Sequence, residues 1–198
     1  MSTMSAEALH PTEEQIQDKF FSEFLARRSS VRAKNWTGWS LRKGRDHSEV
    51  TNFYREFDLA EFYVDGTSLV LAGYEVKGWK KTTKRDKSQK MIEPAFGDGI
   101  DQALALLQNG ADFASVIYPE PAKTEDKAAL KELCDHYARN VGIIYVQNDL
   151  KSYFNFRLPT RNPYATMDRK KKMLSSLMTG GNLSDISDLP SWAKQQKY

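Results

Sequence analysis

Two apolar-rich runs, Leu59–Val64 and Leu69–Val76, flank Asp65-Gly66, and the stretch Tyr54–Lys77 reads as a β-hairpin. With Asp65-Gly66 at the tip, the register places Val64 opposite Thr67, Asp58 opposite Gly73 and Glu56 opposite Glu75. Side chains alternate along a strand, so Gly73, Glu75 and Lys77 share one face. Asp58 lies on that face, one diagonal step from Glu75, roughly 7 Å or less away. Gly73 has no side chain to fill the space opposite Asp58. Upstream, Thr12-Glu13-Glu14-Gln15 after Pro11 is a capping-box pattern. It opens a helix whose apolar stripe, Ile16, Phe20, Phe21, Phe24 and Leu25, ends near Ala26. Ser30–Ala33 reads as a short first strand, and the rest of 28–50, polar and broken by Gly38 and Gly44, as a long loop.

Downstream, Lys77–Asp98 reads as a basic loop. Ile100, Ala103, Leu104 and Leu107 mark a helix that Gly110 terminates. Phe113–Tyr118 is an apolar strand closed by Pro119. A helix over 123–140 carries Leu130, Leu133, Cys134 and Tyr137 on one stripe, and Gly142–Val146 is another apolar strand. Strand, helix, strand with short turns implies a right-handed crossover and parallel pairing. Tyr153–Phe156 reads as an edge strand, and Tyr164–Met178 as a basic helix ended by Gly180-Gly181. The order gives an α/β layer fold. The expected layout is a loose tail over 1–10, one domain over 11–158, and a C-terminal basic helical extension, partly flexible, over 159–198.

With 198 residues, 40% hydrophobic and 12% aromatic, the chain suits one folded domain with a full core. No apolar run approaches the roughly 20 residues that cross a bilayer, and the N-terminus shows no secretion signal. The single Cys134 excludes an intrachain disulfide and Cys-rich metal sites, so the expected location is intracellular, in the cytoplasm. The net charge of +3 says little, but its distribution says more. Arg27–Arg45 carries seven Lys or Arg and no acid, and Lys77–Lys90 carries seven against Asp86 alone. Trp36, Trp39 and Trp79 interleave with them. Basic runs on both sides of a carboxylate hairpin suit a polyanion, and Arg42, Lys43, Arg45, Lys80, Lys81, Lys84, Arg85 and Lys87 are the candidate contacts. The bland reading makes them solvated loops.

Asp58 on one strand and Glu75-Val76-Lys77 on the next resemble the PD-(D/E)XK nuclease superfamily, with Phe57 where the family name has Pro. A second Glu-x-Lys, Glu125-Asp126-Lys127, opens a helix and lacks that strand context. The resemblance implies a restriction-endonuclease-like αβββαβ core, a central mixed sheet flanked by helices, over roughly 11–147. It also implies a Mg²⁺-dependent DNA endonuclease, Mn²⁺ substituting, with the carboxylates of Asp58 and Glu75 and the backbone carbonyl of Val76 as metal ligands. Glu13 on the first helix is the implied third carboxylate, with Glu14 beside it and helix-dipole stabilisation as the competing account. Lys77 would hold or deprotonate the attacking water, or contact the scissile phosphate. Gln102 on the helix after that strand would orient water or lysine. The compact size resembles archaeal Holliday-junction resolvases and viral nucleases, which implies branched-DNA substrates and a homodimer. No membrane partner or organic cofactor is expected. His10, His47 and His136 show no zinc spacing, and Gly97-Asp98-Gly99 lacks the Lys-Ser/Thr of an NTPase loop. The rival readings are a non-catalytic nucleic-acid-binding module of the same fold, and a structural domain in which Asp58, Glu75 and Lys77 form only a buried ion pair.

Overall fold

The computed structural model describes residues 10–24, 30–36, 57–83, 89–95, 97–121 and 124–179. A six-stranded mixed sheet forms its centre, in the order β1-β2-β3-β6-β7-β8. Helix α1 (Glu13–Lys19) continues into a π-helical turn (Phe20–Phe24) and is followed by β1 (Ser30–Trp36), β2 (Phe57–Asp65) and β3 (Ser68–Val76). These three strands pair antiparallel. Then come β4 (Lys80–Thr83) and β5 (Gln89–Ile92), a separate antiparallel hairpin, and α2 (Ile100–Gln108). Strands β6 (Phe113–Pro119) and β7 (Val141–Val146) flank α3 (Thr124–Tyr137) and lie parallel to each other, with β6 parallel to β3. The antiparallel β8 (Tyr153–Arg157) closes the edge and α4 (Met167–Thr179) follows.

The elements form where local chemistry asks for them. The capping box is complete: Thr12 Oγ1 accepts from Gln15 N–H at 3.3 Å, and Gln15 Oε1 accepts from Thr12 N–H at 2.9 Å. Strands β6 and β7 are buried on both faces, as parallel strands under helices must be. One core layer gathers Phe62, Leu71, Val116 and Tyr145 of the sheet with Leu106 of α2, Leu130 of α3 and Leu174 of α4. On the opposite face Ile16 and Phe20 cover Leu59, Val76, Ile117 and Ile144. Each such fully buried side chain contributes roughly 1.5–3 kcal/mol.

Three expectations change. The hairpin register is Asp65↔Ser68 through Leu59↔Tyr74, two residues away from the one expected. Gly66 leads the two-residue loop with φ +59°, the place a type II′ turn gives to glycine. Because the shift is even, no side chain changes face. Second, Gly73 leaves no gap. A Cβ there would lie 2.9 Å from the Phe57 ring and 3.0 Å from Leu106, so core side chains fill that space. Third, the basic stretch after Lys77 contains the β4–β5 hairpin where a loop was expected.

The described part of the expected C-terminal extension, 159–179, carries α4, and it is built into the core. Met173 and Leu174 are buried, and Lys170 is 2% exposed. Lys170 Nζ lies 2.9 Å from Asp112 Oδ2 and donates to the Leu69 carbonyl. Asp112 also accepts from Leu71 N–H at 2.9 Å and from the Arg161 guanidinium at 3.2 Å. Asn162 Nδ2 donates to the carbonyls of Leu107 and Ala111. This network caps the end of the sheet opposite the carboxylate cluster described next. Among the described residues no helix is long and apolar enough to cross a membrane.

Candidate active site

Strand β3 delivers Glu75 and Lys77 to its C-terminal end, and β2 delivers Asp58 beside them. Continuing the observed register one step beyond Leu59↔Tyr74 sets Asp58 directly opposite Glu75. There the Asp58 carboxylate, through Oδ2, accepts the Val76 N–H at 2.7 Å. Lys77 Nζ donates to Glu75 Oε1 at 2.6 Å, with Glu75 2% and Lys77 12% exposed. The register differs from expectation, yet the three side chains meet on one surface.

Two helix starts close around this cluster. Gly78 packs so tightly on the head of α1 that a Cβ would lie 2.0 Å from the Glu13 nitrogen. Trp79 N–H donates to the Pro11 carbonyl at 3.0 Å, which fastens the same junction. Glu13 is thereby brought to the site: it is half-buried, and its charge pushes the Glu75 pKa upward. Gln17, itself buried, donates to Glu13 Oε1 at 3.4 Å. Glu14 is exposed. On the other side, Gly99 caps α2 with φ +88°, and its missing side chain admits Lys77 Cε and Glu75 Cγ. Gln102 is half-buried in the first turn of that helix. Tyr118 donates its hydroxyl to the Asp98 carbonyl and braces the turn before α2; burial pushes its phenol pKa up, so the donor stays protonated.

Burial first, and then the Asp58 and Glu13 charges, raise the Glu75 pKa to about 7 against the pull of Lys77. The cluster thus carries more negative charge than one lysine offsets. Its donors are hard carboxylate oxygens, the set that Mg²⁺ and Mn²⁺ take, so the residues fit such an ion. Among the described residues no three His, Cys, Asp or Glu side chains form a metal-ligating group. The carboxylates that meet across the strand pair are Asp58 and Glu75, while Glu13 acts at the site through its charge.

A raised carboxylate pKa has a sign that can be measured. Between about pH 4.5 and 7 the folded chain holds a proton on Glu75 that the unfolded chain has released. Stability from this group therefore falls as pH rises through that window and is level above it. In EDTA, Glu75→Gln is expected to flatten this slope and to raise stability at pH 8 by up to about 3 kcal/mol, at ~1.4 kcal/mol per pH unit. Urea unfolding at pH 5 and pH 8 reads both; equal slopes in the two proteins would count against a buried, charge-crowded Glu75.

Of the expected nucleic-acid contacts, Lys80 is exposed on β4 and Lys81 is its neighbour on that strand. This hairpin starts three residues past Lys77. Arg42, Lys43, Arg45, Lys84, Arg85 and Lys87 lie outside the described residues. Trp79 packs against His10 with the rings tilted by 40° and their centroids 4.2 Å apart. The sequence reading missed Gly78 and Gly99, whose close contacts show only once the helices are in place. No protein-family model matches the chain, and a search of curated proteins gives no match.

Proposed function

We propose that this protein is a metal-dependent deoxyribonuclease with a restriction-endonuclease-like fold, acting as an endonuclease on branched DNA such as four-way junctions. One observation carries the reading: Asp58, Glu75 and Lys77 converge, mostly buried, at the end of a central strand pair. The succession α1-β1-β2-β3-α2-β6, interrupted by one hairpin, agrees with an αβββαβ core. A divalent cation at the carboxylates would lower the pKa of a bound water and neutralise charge on the phosphate. Asp58 and Glu75 would hold that ion, with the Val76 carbonyl and Glu13 completing its surroundings. Lys77, anchored to Glu75, would position the water or the scissile phosphate. Gln102 would orient the same water from the head of α2. Lys80, Lys81 and the basic residues around them would track the DNA backbone, and a homodimer would present one site to each strand.

A buried ion pair alone is a poor account of the cluster, because such pairs seldom add net stability and this one leaves excess negative charge. The test is purified protein with Mg²⁺ or Mn²⁺ on labelled four-way junction, flap, single strand and duplex, with EDTA as control. Metal-dependent cutting, strongest on the junction, is expected. Salt-sensitive binding with no cutting on any substrate would instead identify a non-catalytic binding module.

A further inference from the structure

The stripe expected to face the core from α3 includes Leu130, Leu133, Cys134 and Tyr137, and its last member does not face it. Leu130 and Cys134 are buried and Leu133 is half-buried, but Tyr137 is 79% exposed at the end of the helix. Beside its ring lies an open groove of about 340 Å³, lined also by Ala129, Glu132, Leu133 and His136. Those four recur at helical spacing, so they share one flank of α3. A small residue, Ala129, stands toward one end of that flank and the large ring toward the other. Charge divides the same way. The exposed acids Glu125 and Glu132 come first, and the exposed His136 and Arg139 come last. Arg139 is held against the final turn, its Nε donating to the Asp135 carbonyl at 3.1 Å.

We propose that this flank of α3 packs antiparallel on the same flank of a second copy of the chain. A twofold axis beside Leu133 makes the surface complementary to itself, as an interface between identical subunits must be. Four residues lie on either side of that axis to Ala129 and to Tyr137. The ring of each copy therefore falls over the gap at Ala129 of the other. The same reversal brings Glu125 near Arg139 and Glu132 near His136, each pairing occurring twice. A parallel arrangement would set acid against acid and ring against ring. Tyrosine and arginine are residue types that anchor interfaces when buried on association. Phosphate is a poorer occupant, because Glu125 and Glu132 repel it. The inference goes beyond the nuclease reading: it assigns a dimer surface and needs neither metal nor catalysis.

Analytical ultracentrifugation of the full-length protein, without DNA or metal, is the test. The parent is expected to approach twice the mass of one chain as its concentration rises. Tyr137→Ser should weaken that association at least about tenfold, the scale of one lost anchor. Glu125→Arg and Arg139→Glu should each stay monomeric where the parent dimerises. An equimolar mixture of those two variants should regain the dimer, since opposite charges then meet at both pairings. All three positions are exposed, so the fold is kept. A parent that stays monomeric overturns the inference and leaves the groove to a different protein. Variants that dimerise like the parent, or a mixture that stays monomeric, overturn it as well. None of these results touches metal-dependent cutting, whereas a parent that dimerises through this flank and cuts no DNA sinks the nuclease reading alone.

Discussion

Asp58→Asn protein is expected to cut DNA at least about a thousandfold more slowly than the parent while binding it with unchanged affinity. Asparagine is the informative choice. The Asp58 carboxylate takes the Val76 N–H at 2.7 Å, and alanine would strand that donor at a cost of roughly 1–3 kcal/mol. The asparagine carbonyl can keep that bond while removing the negative charge a divalent cation needs. Losing a charge-stabilising group aimed at a transition state costs about 10²–10³ in rate, and losing the ion itself costs more. Lys77→Met should behave alike, since its aliphatic stem keeps the packing against Gly99 and only the ammonium is lost. Single-turnover cleavage beside a binding titration reads both quantities. Cutting by Asp58→Asn at the parental rate, with normal thermal stability, would remove the basis for placing a metal here.

The second large effect concerns folding. Lys170→Ala should lower the unfolding free energy by about 3–5 kcal/mol, because it leaves Asp112 as a deeply buried charge short of its main partner. Asp112 is 1% exposed, and its other cation, Arg161, is half-exposed and farther away at 3.2 Å. The loss includes the bond from Lys170 to the Leu69 carbonyl. The double variant Lys170→Met, Asp112→Asn should recover much of the stability, since neutral groups of similar size avoid the stranded charge. Urea midpoints of the single and double variants decide between a charge penalty and a simple packing loss. Equal losses in the two proteins would point to packing.

The core strands and helices were legible from their apolar residues: near-continuous runs in β2 and β3, unbroken in β6 and β7, and at helical spacing in α2. The capping box at Thr12 was legible for the same reason, since its partners lie within one turn. The hairpin register was misread by one turn position. Asp65-Gly66 fits the centre of a type I′ turn, but Gly66 sits first in the loop, and the local sequence does not choose between the two. The carboxylates stayed together because the error was even. The β4–β5 hairpin was missed because Lys-Lys-Thr-Thr and Gln-Lys-Met-Ile have too little apolar alternation to stand out. Lys170 falls within the stretch read only as a basic helix, although its spacing to Met173 and Leu174 puts it on the apolar stripe of α4. Charge overrode periodicity in that reading, and periodicity was the better guide. Gly78 and Gly99 were unreadable in isolation, since their roles arise from elements distant in sequence.

Gly78 has a mechanical consequence. No side-chain atom fits between the end of β3 and the head of α1, so backbone rests on backbone there. A joint of that kind cannot slide or gape without breaking contact, because close-packed interiors deform little. The first helix and the strand carrying Lys77 therefore travel as one rigid jaw. On the proposed reading, reshaping around a substrate would come from the opposite side, where the turn of Gly97 and Gly99 leads into α2.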